Sequence, residues 1–440
     1  MLRAVRRNTE LGLLVLGALV TVGAYLLASL AREAEIPANI GPFLGIVLGL
    51  MLAAHLAVRR LTPDADGTLL PIAALLNGIG YVFIVRIDEA KATPKNLAGL
   101  QSGWVAVGVV AFIVTLLLVR RVRDLERYRW TIGFAGIGLL LLPLVPGVGK
   151  TINGAKIWVG IGPVSFQPGE FAKILLAVFF ASYLVEKREL LAVSSHRLGP
   201  IPLPDLKHLG PVLLAWGVSL VVMVAEKDLG SSLLFFALFV ALLWVSTERA
   251  TYLVVGLLLF AGGAVFAHSQ FSHVQDRVDI WLDPWQDPKD AGYQIVEAAF
   301  AFSSGGITGT GINLGAPTRI PYAETDFIFA AIGEELGLVG ASAVLLAFLL
   351  IVGAGLRIAL RTTVPFERLL ATGLTVLIGV QSFIIMAGVI RVLPLTGVTL
   401  PFVSYGGSSL IANYVLIALL LRISDDTIQR EHQREQEALR

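Results

Sequence analysis

Long runs of apolar residues, separated by short polar segments, recur along nearly the whole chain. About twelve of these runs are long enough to cross the roughly 30 Å of hydrocarbon in a bilayer as α-helices. Lipid offers backbone N–H and C=O groups no partners, and these runs do not alternate as the strands of a membrane barrel do. The pattern therefore predicts an all-α polytopic membrane protein, with spans near residues 11–30, 40–58, 69–87, 101–119, 130–146, 170–185, 209–225, 229–246, 251–267, 326–352, 366–390 and 402–422.

Composition agrees with a protein that uses lipid as its solvent. Of the 440 residues, 56% are hydrophobic and 15% are charged, which is too little polar surface to cover a soluble protein of this size. The chain has no cysteine, so disulfides, thiolate metal sites and thiol nucleophiles are excluded. The first apolar run resembles a signal peptide, but it is longer than a signal core, and we expect it to be kept as a span.

Arginine and lysine fall in alternate loops, and this sets the expected orientation. With the basic amino terminus in the cytoplasm, every second loop carries the basic excess that the positive-inside rule requires. Both termini are then cytoplasmic. The loops expected inside contain Arg59, Arg60, Arg120, Arg121, Arg123, Arg127, Arg129, Lys187, Arg188, Arg197, Arg249, Arg357, Arg361 and Arg368.

The loops expected outside hold most of the glycine, proline, tryptophan and acidic residues between spans. They cover residues 147–168, 225–228, 268–325 and 391–401. The largest, between the ninth and tenth spans, is too long to be a simple connection in a compact bundle, so we expect it to be ordered and functional. Candidate chemistry therefore gathers at the outer face.

Two glycine-rich segments look like nucleotide-binding loops but fail the required pattern. Gly147 to Thr151 lacks the earlier glycine, because Leu144 stands there, and Gly309 to Gly311 follows no strand. The six histidines show no metal-ligand spacing. We expect neither a nucleotide nor a haem.

Acidic residues near the outer ends of spans have a structural and a functional interpretation each. Glu170 and Lys173 lie three residues apart, on one helix face, either as a plain ion pair or as the lining of a polar cavity in which Lys173 meets an anionic headgroup. Asp228 is either a helix N-cap or a carboxylate that holds a cation or a sugar hydroxyl. Both interpretations stay open for these residues.

A second acidic group begins the tenth span. Helical steps from Asp326 meet a stripe of small residues, which predicts that Asp326 faces the bundle interior; an acid that only stabilises the helix start is the alternative. Glu334 and Glu335 lie deeper, where acids are functional candidates or hydrogen-bond across helices. Prolines and glycines in residues 393–409 interrupt helix near the outer surface, which predicts a polar cavity there.

These segments, in this order, resemble the shape, elongation, division and sporulation (SEDS) family, of RodA and FtsW type. The resemblance covers about residues 69–422 and is specific because several motifs occur together. The motifs are Asn153-Gly154-Ala155 with Trp158, Gln167-Pro168-Gly169-Glu170-Phe171-Ala172-Lys173, Asp228-Leu229-Gly230, Thr325-Asp326-Phe327-Ile328-Phe329 with Gly333-Glu334-Glu335-Leu336-Gly337, and Pro401-Phe402-Val403-Ser404-Tyr405-Gly406-Gly407-Ser408.

The resemblance implies a peptidoglycan glycosyltransferase that polymerises lipid II outside the bacterial plasma membrane, with a class B penicillin-binding protein as partner. It implies a ten-span core at residues 63–424, an additional N-terminal hairpin at 1–62 and a cytoplasmic polar tail at 425–440. Between elongation and division, we lean towards the elongation member. Three departures from the family pattern are Gly169 in place of Ser, Glu226-Lys227 in place of Gln-Pro, and Ile157 where Arg is frequent.

By the same resemblance, Asp326 is the essential carboxylate, and we interpret it as the general base. A divalent cation, Mg²⁺ or Mn²⁺, held by Asp228 or Asp326 is an alternative to a basic side chain for balancing the diphosphate charge. The expected substrate-binding residues are Glu170, Lys173, Asp228, Trp158, Lys156, Arg277, Arg319, Glu335, Ser404, Gly407 and Ser408.

A lipid II flippase that uses the same acids is the alternative function. A transporter places charged residues and broken helices at mid-depth, with access from both sides. Here the candidates crowd the outer edge and no inverted repeat is visible, which favours the enzyme. A scaffold that only carries a transpeptidase leaves the acids unexplained.

Overall fold

A computed structural model describes residues 2–33, 40–91, 93–152, 154–161, 164–192, 196–198, 201–203, 214, 217–218, 221–222 and 224–438. Helices dominate the described residues, as the apolar runs predict. We number them α1 Leu2–Glu33, α2 Ile40–Leu61, α3 Leu69–Glu89, α4 Leu97–Leu118, α5 Asp124–Arg127, α6 Arg129–Leu141, α7 Gly169–Ala192, α8 Leu229–Thr247, α9 Thr251–Gln270, α10 Ser272–Leu282, α11 Tyr293–Gly305, α12 Ile328–Arg361, α13 Pro365–Val389 and α14 Gly407–Ala438.

The fold class is confirmed, while the count of twelve spans stays a prediction. Among the described residues, eight helices are long and apolar enough to cross a membrane. The predicted span at 209–225 falls mostly outside the described residues. The chain is an integral membrane protein, and the side on which its termini lie remains an expectation.

Two small antiparallel sheets were not predicted by hydropathy. β1 Gly149–Ile152, β2 Ala155–Ile161 and β3 Val164–Phe166 form a three-stranded sheet in the order β1-β2-β3. β4 His196–Leu198 pairs with β5 Ile201–Leu203. The strands are short and lie between helices, so the alternation of apolar and polar residues along them is too brief to be recognised in the sequence.

The chain divides into two compact units. Unit 1 comprises Met1–Arg120, Ile280–Ala354 and Gln381–Arg440, and unit 2 comprises Arg121–Asp279 and Gly355–Val380. In unit 1, α14 packs on α4 and α1 packs on α3; in unit 2, α7 packs on α6 and on α8. The three-part division at residues 62 and 424 is not tested by this grouping and stays a prediction.

The α1–α3 contact ties the additional hairpin to the rest of unit 1. Gly78 on α3 lies against the fully buried Thr21 of α1, and a Cβ added at Gly78 would overlap the Thr21 hydroxyl. Gly17 on α1 lies beside Leu75 of α3. Small residues let helix backbones approach closely, which is how helices associate where lipid is as apolar as the side chains.

We expect Gly78→Val to destabilise unit 1, because the added side chain must push α1 away from α3. The melting temperature of the protein in detergent should fall by several degrees. Gly23→Val on α1 is the matched control, since a Cβ there meets nothing within 4 Å. Equal melting temperatures for the two variants would contradict the close packing.

Candidate active site

Asp326 lies in the turn that leads into α12. The chain passes a short 3-10 helix, Pro317–Arg319, then turns at Tyr322, whose φ of 58° is left-handed. Thr325 N–H donates to Tyr322 O at 3.0 Å, and α12 begins at Ile328. Asp326 itself is half-buried.

The Pro401–Ser408 segment holds this turn from a distant part of the sequence. The Ser404 hydroxyl donates to Thr325 O at 2.6 Å, and Tyr405 N–H donates to Glu324 O at 2.8 Å. Phe402 in this segment has a left-handed φ of 64°. Two motifs that the sequence singled out separately therefore meet beside Asp326.

Ser404, Gly407 and Ser408 have different positions around this segment. Ser404 is buried and also accepts from Leu400 N–H at 2.9 Å. Gly407 begins α14 against the Trp104 ring, so close that a Cβ would overlap it. Ser408 is buried in the first turn of α14. Their part in substrate binding stays a prediction.

Glu335 is fully buried, and both its oxygens are bonded to the protein. Arg86 of α3 donates to its Oε1 at 3.0 Å, and Asn313 N–H donates to its Oε2 at 2.9 Å. The neighbouring Glu334 accepts from Ala316 N–H at 2.9 Å. The carboxylates thus fasten residues 306–316 to α12, and a direct contact of Glu335 with substrate is untested.

This fastening occurs where α12 is broken. Gly337 has φ 64° and ψ −164° inside the helix, a conformation that suits glycine. The exposed backbone groups are satisfied by the loop, because Leu338 N–H donates to Gly306 O at 2.9 Å and Thr310 N–H to Glu334 O at 2.9 Å. A break in a membrane helix needs such partners.

In unit 2, Glu170 and Lys173 form the ion pair that their spacing predicts. Lys173 Nζ and Glu170 Oε2 are 2.6 Å apart, and both residues are buried in the first turn of α7. A buried pair of this kind is costly to break, because the remaining charge would be left without a partner. Anion binding by Lys173 is untested.

Asp228 is the N-cap of α8, which was one of its two interpretations. It accepts from Ser231 N–H at 3.0 Å and from the Ser231 hydroxyl at 2.6 Å. Burial raises the pKa of its carboxyl, against these hydrogen bonds and the Arg277 charge, which lower it. Glu170 also acts on Asp228, so Glu170, Asp228 and Arg277 share one electrostatic environment.

The remaining expected residues lie in the three-stranded sheet and at the end of the 3-10 helix. Trp158 lies half-buried in β2, where it pairs with Lys150 of β1. Lys156, on the same strand, donates to Leu144 O at 3.3 Å. Arg319 is exposed at the end of the 3-10 helix. Unit 2 holds Trp158 and Lys156, and unit 1 holds Arg319 and Asp326.

A divalent cation finds little support in the ligand set. Across the described ranges, no group of three or more histidine, aspartate or glutamate side chains is arranged to hold a metal ion. The Asp228 oxygens already accept hydrogen bonds from Ser231. The cation expected at Asp228 or Asp326 stays a prediction.

Four residues of interest were not singled out as site residues from the sequence. Arg86 was detectable, since an arginine inside an apolar run marks an intramembrane ion pair. Glu226 is buried, and its Oε1 has no hydrogen-bond partner among the residues that the structure describes. Lys91 and Glu324 form an ion pair across 233 residues of sequence, which no local pattern reveals.

A family model described as cell cycle protein, FtsW/RodA/SpoVE, matches residues 67–429 of the chain. The chain belongs to the FtsW/RodA/SpoVE family. Similar curated proteins include the peptidoglycan glycosyltransferase RodA of Mycobacterium tuberculosis, 45% identical over 95% of this chain and 90% of the relative. The probable peptidoglycan glycosyltransferase FtsW of Geobacter metallireducens is 33% identical over 82% of this chain and 94% of the relative.

Solved structures of family members share the fold. A chain from a peptidoglycan synthase complex, studied for its coordination of polymerization and crosslinking, has a TM-score of 0.68 and 28% identity, covering 83% of this chain and 99% of that one. The crystal structure of the rod shape determining protein RodA of Thermus thermophilus has a TM-score of 0.59 and 26% identity, covering 82% and 97%.

Glu226 predicts a pH dependence of stability. Burial, and secondarily the Asp228 charge, raises the pKa of the Glu226 carboxyl to about 8. The folded protein therefore keeps a proton that the unfolded chain releases near pH 4.5, so folding stability falls as pH rises between these values. The loss is at most about 1.4 kcal/mol per pH unit.

Glu226→Gln should lose less stability than the wild type between about pH 5 and pH 8, because it has no carboxyl to ionise. Melting temperatures in detergent across this range measure the difference. Glu189→Gln, at an exposed position of α7, is the control and should follow the wild type. A wild-type curve as flat as that of Glu226→Gln would contradict the raised pKa.

Proposed function

We propose that this chain is a peptidoglycan glycosyltransferase that polymerises lipid II into glycan strands at the outer face of the plasma membrane. The observation that carries the proposal is the placement of Asp326, half-buried in a turn that Ser404 and the Tyr405 N–H hold. The names of the similar RodA and FtsW proteins support the same activity.

The hydrogen bonds of the other acidic residues in unit 1 indicate which of them have a structural role. Glu335 and Glu334 accept hydrogen bonds from the loop they fasten. Asp88 is buried and accepts from Lys95 N–H and Leu97 N–H. These carboxylates are buried and accept backbone hydrogen bonds, whereas Asp326 is half-buried, and we propose it as the group that meets substrate.

In the proposed mechanism, Asp326 is the general base. The 4-hydroxyl of the acceptor N-acetylglucosamine gives its proton to the Asp326 carboxylate while its oxygen attacks the anomeric carbon of the lipid-linked donor. The new glycosidic bond forms as the bond to the diphosphate breaks, and the diphosphate leaves with the electron pair. Asp326 then releases the proton to water.

The departing diphosphate requires positive charge nearby, because preorganised charges aimed at the transition state are a large part of catalysis. Arg319 is exposed and lies in the same unit as Asp326, and it is the basic side chain that we propose for this role. The part expected of Lys173 and Arg277, in unit 2, stays a prediction.

We further propose that a class B penicillin-binding protein is the partner and that both termini are cytoplasmic. The similar chain from a peptidoglycan synthase complex supports an assembly of this kind. The alternation of basic loops supports the orientation, and it puts the large loop and Asp326 outside.

The test is polymerisation of purified lipid II by the reconstituted protein with its class B partner. Asp326→Asn keeps the shape and removes the basicity, so glycan product should fall at least about 100-fold. Asp290→Asn, an exposed acid of the same external loop, is the matched control and should retain activity.

Full polymerisation by folded Asp326→Asn would refute the general base. A wild-type protein that moves labelled lipid II across vesicle membranes and forms no glycan would instead support the flippase. A melting temperature equal to that of the wild type shows that Asp326→Asn is folded.

A further inference from the structure

The external loop after α3 is organised around a buried aspartate. Asp88 accepts from Lys95 N–H at 3.0 Å and from Leu97 N–H at 2.7 Å, and it is 2% exposed. Asn96 has a left-handed φ of 56°, which closes the loop onto the start of α4. Lys91 lies just after the end of α3, and its N–H donates to Asp88 O at 3.1 Å, which places it beside this aspartate.

Lys91 reaches from this loop to the turn that carries Asp326. Its Nζ lies 2.5 Å from Glu324 Oε1, and Glu324 precedes Asp326 by two residues. The side chains are 28% and 12% exposed, so the pair is largely removed from solvent. This ion pair differs from an exposed surface pair, which contributes little.

Glu324 depends on this lysine. Its Oε2 is buried and has no hydrogen-bond partner among the described residues. A buried carboxylate without a cation is costly, so removing Lys91 would drive Glu324 to seek water or another donor. The Glu324 side chain would then move, and the backbone of the turn with it.

The backbone around Glu324 passes such a movement to Asp326. Glu324 O accepts from Tyr405 N–H at 2.8 Å, and Thr325 O accepts from the Ser404 hydroxyl at 2.6 Å. The turn is thus held in two ways: its main chain accepts hydrogen bonds from the Pro401–Ser408 segment, and its Glu324 side chain pairs with Lys91. Loss of the Lys91–Glu324 ion pair therefore removes one of the contacts that hold the turn of Asp326.

We propose that Lys91 is a positioning residue for catalysis, which acts through its ion pair with Glu324 to hold the turn that presents Asp326 to the acceptor hydroxyl. The inference rests on the proposed function of Asp326. Misplacing a reacting group by about 1 Å lowers rates strongly, even when the altered residue is not in contact with substrate.

The experiment compares steady-state polymerisation by Lys91→Met, Lys91→Arg and Lys95→Met in the reconstituted complex with lipid II. Lys91→Met should lower kcat about tenfold or more with KM for lipid II within about twofold, because the base is misplaced while binding is kept. Lys91→Arg keeps the charge and should restore most of kcat. Lys95→Met, an exposed lysine of the same loop, should match the wild type.

A charge exchange tests the pair itself. Lys91→Glu should lose activity, and the double variant Lys91→Glu with Glu324→Lys should recover at least part of it, since the attraction is rebuilt in reverse. Melting temperatures close to that of the wild type show that each variant folds.

Three results would overturn the positioning role: a folded Lys91→Met with wild-type kcat, a loss confined to KM, or no recovery in the double variant. Asp326→Asn in the same assay separates this inference from the proposed function. If Asp326→Asn is active, the proposal that Asp326 is the general base is wrong. If Asp326→Asn is inactive while Lys91→Met is fully active, only the proposed positioning role of Lys91 is wrong.

Discussion

A polar group inside the membrane is costly unless it finds a partner within the protein, because lipid supplies none. The strongest case is the break in α12 at Gly337, beside Glu334 and Glu335. Arg86 and residues 306–316 satisfy the carboxylates and the freed backbone groups together. Residues 306–316 are thereby fastened, and they lead directly into the 3-10 helix and the turn of Asp326.

The additional hairpin takes part in the same arrangement. Asn313, whose N–H binds Glu335, also donates from its side chain to Ala28 O on α1 at 3.0 Å. The match to RodA of Mycobacterium tuberculosis covers 95% of this chain, whereas the match to FtsW of Geobacter metallireducens covers 82%. Through Asn313, α1 thus contacts the loop whose N–H groups bind Glu334 and Glu335.

Hydropathy predicted the helices well because span length and charge exclusion are local properties of a segment. It missed the sheet of β1 to β3, whose strands are three to seven residues long, and the break at Gly337, which depends on one left-handed φ. Motif order identified the Asp326 turn and the Pro401–Ser408 segment. Their contact through Ser404 and Tyr405, like the pairing of Lys91 with Glu324, is tertiary and leaves no periodic trace in the sequence.

Glu335 and Asp326 show why an acid near the membrane needs its contacts before it receives a role. Both lie on or next to α12, and sequence reasoning made both functional candidates. Glu335 is fully buried, and its two oxygens accept hydrogen bonds from Arg86 and Asn313, so its carboxylate has a structural role. Asp326 lies before the first helical turn and is half-buried, so it differs from Glu335 in position and in exposure. The contacts and the burial of each acid, rather than its acidity alone, are therefore needed before a role is proposed for it.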